Sequence, residues 1–160
     1  MSYRNVTRLA LSVVAVLGCT PQPPAAPAPH TAMSVNASFG RTWDALIDDF
    51  AGNNIPIKTI DRTSGLIATD KLSVAASLTD AADCGTNWDH TPALPTDVEY
   101  NALVRGDSSH STIRVTARWT RTGQSRVLGD KTRVTEECST RATWETSLED
   151  QIKKSAEGAK

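Results

Sequence analysis

Between residues 112 and 120 polar and apolar side chains alternate without a break. Ile113, Val115, Ala117 and Trp119 fall on one side, and Thr112, Arg114, Thr116, Arg118 and Thr120 on the other. Successive side chains of a strand point to opposite faces, so this period-two pattern describes a ribbon with one packed face and one wet face. Parallel sheets are covered on both faces, whereas antiparallel sheets commonly leave one to water. A second alternating stretch lies just upstream, with Val98, Tyr100, Ala102 and Val104 set against Glu99, Asn101 and Arg105. Gly106-Asp107-Ser108-Ser109 between the two is turn chemistry, so the pair reads as two neighbouring antiparallel strands.

The packed face needs a cover, and two helical stripes supply one. Trp43, Leu46, Ile47 and Phe50 recur at helical spacing, with Arg41, Asp44, Asp48 and Asp49 on the other faces. Gly52-Asn53-Asn54 ends that helix through a left-handed cap. Near the end of the chain, Trp144, Leu148 and Ile152 form a second seam that Ser139 or Thr140 can cap. Glu149 and Lys153 are spaced as a helical ion pair, and Lys153 and Lys154 suit the negative end of the helix dipole.

Val35 to Phe39 reads as a short strand. Ile55 to Asp61 and Leu66 to Val74 read as a hairpin, with Pro56 at a strand start or on an edge. Arg62-Thr63-Ser64-Gly65 is its turn, where Gly65 supplies positive φ and Asp61 accepts backbone N–H groups. Residues 75–96 and 123–131 read as loops, and the first is long enough to need tying down. The expected order is β-α-β-β-β-β-α, an α+β fold in which an antiparallel sheet is packed by two amphipathic helices. It occupies residues 33–160, about 127 residues, enough for a single small domain.

Residues 1–18 read as a signal peptide rather than as fold. Arg4 and Arg8 precede the apolar run Leu-Ala-Leu-Ser-Val-Val-Ala-Val-Leu at 9–17, which is far short of the roughly 20 residues that span a bilayer. Val16-Leu17-Gly18-Cys19 follows, and here the chain resembles the bacterial lipoprotein family, with Val16, Leu17 and Gly18 at the three lipobox positions before the cysteine. The resemblance implies cleavage before Cys19, a diacylglycerol on its sulfur and an acyl chain such as palmitate on its new amine. Two or more chains hold a protein on a membrane where one does so only marginally. Thr20 follows where the family's inner-membrane proteins commonly carry Asp, which implies lodging in the outer membrane with the domain in the periplasm. Residues 19–32 then form the lipidated cysteine and a Pro/Ala-rich tether, a spacer of extended character.

Without Arg4 and Arg8 the processed chain keeps 15 basic and 18 acidic side chains, a net of −3. Nucleic-acid binding, which asks for a basic excess, is not expected. With Cys19 lipidated, Cys84 and Cys138 remain as an even pair in an oxidising compartment, which favours a disulfide. A metal site is the competing reading, and two cysteines without a nearby histidine do not complete a tetrahedral set.

Trp43 in a helix after a short strand, followed by Ile57…Asp61-Arg62-x-x-Gly65-Leu66-Ile67, resembles the repeat domain of the BamC lipoprotein family of the outer-membrane β-barrel assembly machinery. The match covers residues 39–68. It implies a helix-grip-like α+β domain. The family carries two such domains where this chain has one, and the Cys84–Cys138 pair is additional.

No catalytic constellation stands out. His30, His90 and His110 are scattered over the tether and two loops, and read as solvated. No serine lies in a nucleophile elbow. No metal site, cofactor or enzymatic activity is expected. Arg105, Arg114 and Arg118, with Lys58 or Lys71, can share one sheet face. That face is either a docking surface for an acidic partner or lipid headgroup, or an ordinary wet face. Trp88 in Asn87-Trp88-Asp89-His90 is either tucked over the core edge or exposed as an interface anchor. The expected function is a membrane-anchored, non-enzymatic accessory or scaffold with an envelope protein partner. The alternative is a small module that binds an apolar ligand or lipid between helices and sheet.

Overall fold

The structure, a computed structural model, describes residues 30–158 apart from Trp88 and positions 128 and 129; at positions 76, 125–127, 130 and 131 it describes backbone alone. The signal peptide, Cys19 and the tether as far as residue 29 lie outside the described residues. Among those described, the elements are β1 (Met33–Val35), α1 (Phe39–Gly52), β2 (Ile57–Asp61), β3 (Leu66–Thr69), β4 (Leu72–Ser73), β5 (Ala82–Asp83), β6 (Asp97–Gly106), β7 (Ser111–Val127), β8 (Asp130–Thr140) and α2 (Thr143–Gly158). A 3-10 helix covers Ala76–Ala81. The eight strands form one antiparallel sheet in the order β2-β3-β6-β7-β8-β5, with β1 also on β7 and β4 also on β6. The fold is α+β, as the patterning predicts.

β7 is the hub. Its alternation places Ile113, Val115 and Trp119 on the inner face at 0% exposure, beside Tyr100, Ala102 and Val104 of β6. Trp43, Leu46 and Phe50 of α1 and Leu148 and Ile152 of α2 cover that face and are themselves fully buried. Each large side chain buried in this way contributes about 1.5–3 kcal/mol. Tyr100 and Trp119 meet edge to face with ring centroids 6.3 Å apart.

Local chemistry sets the boundaries. Ser38 Oγ accepts from the Arg41 amide at the start of α1. Asn54, at φ 53°, takes the left-handed position just past its end. In the β2–β3 turn Asp61 Oδ1 accepts from the amides of Thr63 and Ser64 at 2.9 and 3.2 Å. Gly65 sits at φ +68°, and a Cβ there would lie 2.1 Å from the Val104 carbonyl oxygen. Both positive φ and close approach therefore require glycine. Cys84 and Cys138 are joined, with Cα atoms 4.3 Å apart. The bond ties the stretch after β5 to β8, opposite Trp119 on β7.

Five local expectations are corrected. The first strand is Met33–Val35 rather than Val35 to Phe39, because Ser38 caps α1 and Phe39 opens it. Residues 123–131 are mostly strand: β7 runs on to Val127 and β8 returns from Asp130. Residues 75–96 hold the 3-10 helix, β5 and a bridge between Thr86 and Pro92. At the start of α2 the Ala142 carbonyl accepts the Thr146 amide. Thr140 Oγ1 instead donates to Glu145 and accepts from the Ala142 amide, so neither Ser139 nor Thr140 is the cap. Glu149 does not pair with Lys153. It is 0% exposed, and Lys153 reaches Glu157 at 3.9 Å.

Candidate functional site: the outer sheet face

The face of the sheet away from the helices is set by the same register. Leu66 lies opposite Leu103, and Leu103 opposite Arg114, so the three form one row across β3, β6 and β7. Directly opposed side chains of an antiparallel pair sit about 4.5–5.5 Å apart at Cβ, so the row is continuous. Beside it runs Ala68, Asn101 and Thr116, small and uncharged. Leu66 is 36% exposed, Leu103 half-buried and Arg114 exposed.

The predicted arginines Arg105, Arg114 and Arg118 do share this face, but they are not equivalent. Arg105 donates to the Ser64 carbonyl and so braces the β2–β3 turn. Arg118 lies opposite Glu99 and 3.5 Å from Glu137. Arg114 forms no ion pair among the described residues. Lys58 and Lys71 are each within 3.6 Å of an aspartate, Asp70 and Asp97. Arg105 and Arg114 thus both lack a carboxylate partner among the described residues, and Arg114 alone of the two lies directly opposite a leucine, Leu103. The expectation of a basic surface gave no place to Leu66 and Leu103. The alternation of β6 puts Leu103 on the wet side, and that was the available signal. Trp88 lies outside the described residues.

One edge of β7 is interrupted. β6 pairs with it from Ser111 to Thr120, but on the other side β1 pairs only through Ile113 and β8 begins only at Trp119. α2 crosses this gap. The Val115 amide donates to Glu149 Oε1 at 2.6 Å, and His30 Nε2 lies 2.9 Å from the same oxygen. His30 is thus joined to a buried carboxyl rather than solvated, a correction that spacing alone could not supply. Burial raises the pKa of Glu149, and the bonds from Val115 and His30 oppose this in part. Glu149 Oε2 and Glu145 Oε2 are buried without a hydrogen-bond partner.

The space between helices and sheet is filled by Trp43, Phe50, Leu46, Trp119 and Leu148. The clefts lie at the rim. One of about 530 Å³ is lined by Asn87, Leu94, Arg121 and Glu136 among others, with Arg121 donating to Asn87 across its wall. One of about 370 Å³ opens at the interrupted edge of β7. Among the described residues no group of three His, Cys, Asp or Glu side chains is arranged to hold a metal ion. No helix among them is long and apolar enough to cross a membrane. No protein-family model matches the chain, and no curated protein matches it.

Proposed function

We propose that this chain is an outer-membrane-anchored lipoprotein of a bacterial envelope, held by lipid on Cys19. It acts without catalysis as an accessory or scaffold that docks an envelope protein. The observation that carries this reading is the row Leu66–Leu103–Arg114, where a guanidinium with no ion pair among the described residues adjoins apolar surface on the outer sheet face. Arginine is enriched at interfaces, and the fully buried centre of an interface is more apolar than the surface around it. The partner's matching face presents a carboxylate framed by apolar groups. Arg118 extends the surface, since its exposed pairing with Glu137 holds weakly and can be exchanged. The resemblance to the BamC repeat domain over residues 39–68 supports an envelope role.

The test is in-cell crosslinking of the tagged, lipidated protein followed by mass spectrometry. The expected result is one stoichiometric envelope partner that is lost in the Arg114→Glu/Arg118→Glu variant and kept in Arg121→Glu, since Arg121 lies away from this row. A partner set unchanged by the Arg114 reversal would overturn the assignment of the face. Cys19→Ser should abolish incorporation of an alkyne-tagged palmitate, and undiminished labelling would refute the anchor.

A further inference from the structure

The interrupted edge of β7 carries backbone groups with no strand beside them. Val115 donates to Glu149 at this edge, while Thr120 and Thr122 bond Thr96 on the β6 side. In an antiparallel ladder each residue's N–H and C=O point to one side, and sides alternate along the strand. The odd-numbered residues of β7 therefore face the gap. Ile113 is answered there by Met33 and Trp119 by Cys138. Val115 and Ala117 stand between them with no strand opposite among the described residues. An open strand edge is a template for pairing with another chain.

Among the described residues β1 ends at Met33. Continued backward, its register would bring Thr31 opposite Val115, whose amide already donates to Glu149. The preceding segment, residues 20–29, contains no lysine or arginine.

The cleft at this gap is walled by Val115, Thr116, Ala117, Thr140 and Ala142, with His30, Arg141 and Glu145 completing it. Glu145 is 2% exposed. Its Oε1 accepts from Thr140, and its Oε2 has no partner among the described residues. Arg141, the nearby cation, is 3.9 Å from Asp83 instead. A buried carboxylate oxygen without a donor is costly, so the site lacks a donor at this point.

The geometry points to a peptide-binding site: the gap accepts an extended segment of a partner protein that pairs with the backbone of Ala117, with a lysine or arginine of that segment donating to Glu145. The strand edge supplies general main-chain affinity, and the buried Glu145 carboxylate supplies the choice of side chain. This site is separate from the outer face and does not depend on its reading.

The test uses the full chain in detergent against an array of acetylated, amidated pentapeptides. The array varies the central residue within an extended Thr-Val-X-Val-Thr frame. Lysine and arginine should be enriched at the centre. Replacing lysine by norleucine should weaken binding about tenfold or more, the worth of one hydrogen bond to a charged group. Glu145→Gln should remove the enrichment while leaving the fold intact by circular dichroism. If that variant does not fold, the lysine–norleucine comparison on the unaltered protein decides alone. In the complex, exchange of the Ala117 amide should slow. Absence of a central cationic preference, or a preference with no protection of Ala117, would overturn the site. A chain lacking residues 20–29 should bind the array equally well. A large gain on that deletion would assign the gap to the chain's own segment and overturn the proposal.

Discussion

The two halves of β7 are covalently continuous and physically unlike. From Ser111 to Thr120 the strand has β6 at one side and two helices beneath, and Ile113, Val115 and Trp119 are wholly buried. Beyond Arg121 it pairs with β8 alone, through Thr122–Thr135, Gly123–Val134 and Gln124–Arg133. In this distal arm Val134 is 37% exposed, and the remaining described side chains are polar or glycine. Backbone hydrogen bonds are thus shared by both halves, while burial belongs to one. A two-stranded ribbon on its own is marginal in water, so the arm depends on the covered half to hold it.

Truncation should separate the halves most strongly. Trp119→Ala should cost about 3–5 kcal/mol, the range for emptying a large aromatic site. Val134→Ala should stay within about 0.5 kcal/mol. Chemical denaturation of both variants measures the contrast, and equal costs would refute the division.

Opening the Cys84–Cys138 bond comes next. The 54-residue separation corresponds to about 4 kcal/mol in the chain-entropy model. Because Cys138 lies opposite Trp119, the loss should appear in the covered half. Thermal unfolding with and without reductant checks this, and a melting temperature unmoved by reductant would sink it.

Gly65→Ala should cost roughly 1–3 kcal/mol, because it meets both positive φ and the Val104 carbonyl. Its effect should fall on the β2–β3 hairpin first. Hydrogen exchange at Ile67 and Thr69 would rise before exchange in β7, and uniform acceleration would contradict this.

The smallest effect is one of pH. Burial places the folded pKa of Glu149 above the ordinary glutamate value. The folded state therefore holds that proton more tightly than the unfolded chain. This group's contribution is complete below the ordinary glutamate pKa and is lost as pH rises through the folded value. Glu149→Gln keeps an acceptor for the Val115 amide and removes the titration. Its stability should fall less than that of the unaltered protein as pH rises from 4 to 8. Parallel curves would show that Glu149 carries no such linkage.

The covered half was legible because burial writes itself into side-chain alternation. Val98 to Val104 and Thr112 to Thr120 could be assigned from pattern, as could the stripes of Trp43, Leu46 and Phe50 and of Leu148 and Ile152. Asp61 and Gly65 were legible through turn chemistry that acts within five residues. β8 was not, because Thr132 to Glu137 has Val134 as its one apolar side chain and nothing buries either face. The gap was also hidden. Local spacing pairs Glu149 with Lys153, and only the crossing of α2 under an unfilled strand edge directs Glu149 to Val115. On the outer face the arginines were legible one by one. Which of them is left unpaired was not, because Ser64 and Glu137 are brought close only by the folded sheet.

Site-specific photocrosslinking in cells, with the photoreactive residue placed at Thr116 on the outer face or at Thr135 on the arm, tests the central claim most directly. The account predicts a discrete adduct with one envelope protein from position 116, absent when Arg114 is reversed to Glu, and little or none from position 135. An adduct from 135 alone, or one from 116 that survives the reversal of Arg114, would contradict it.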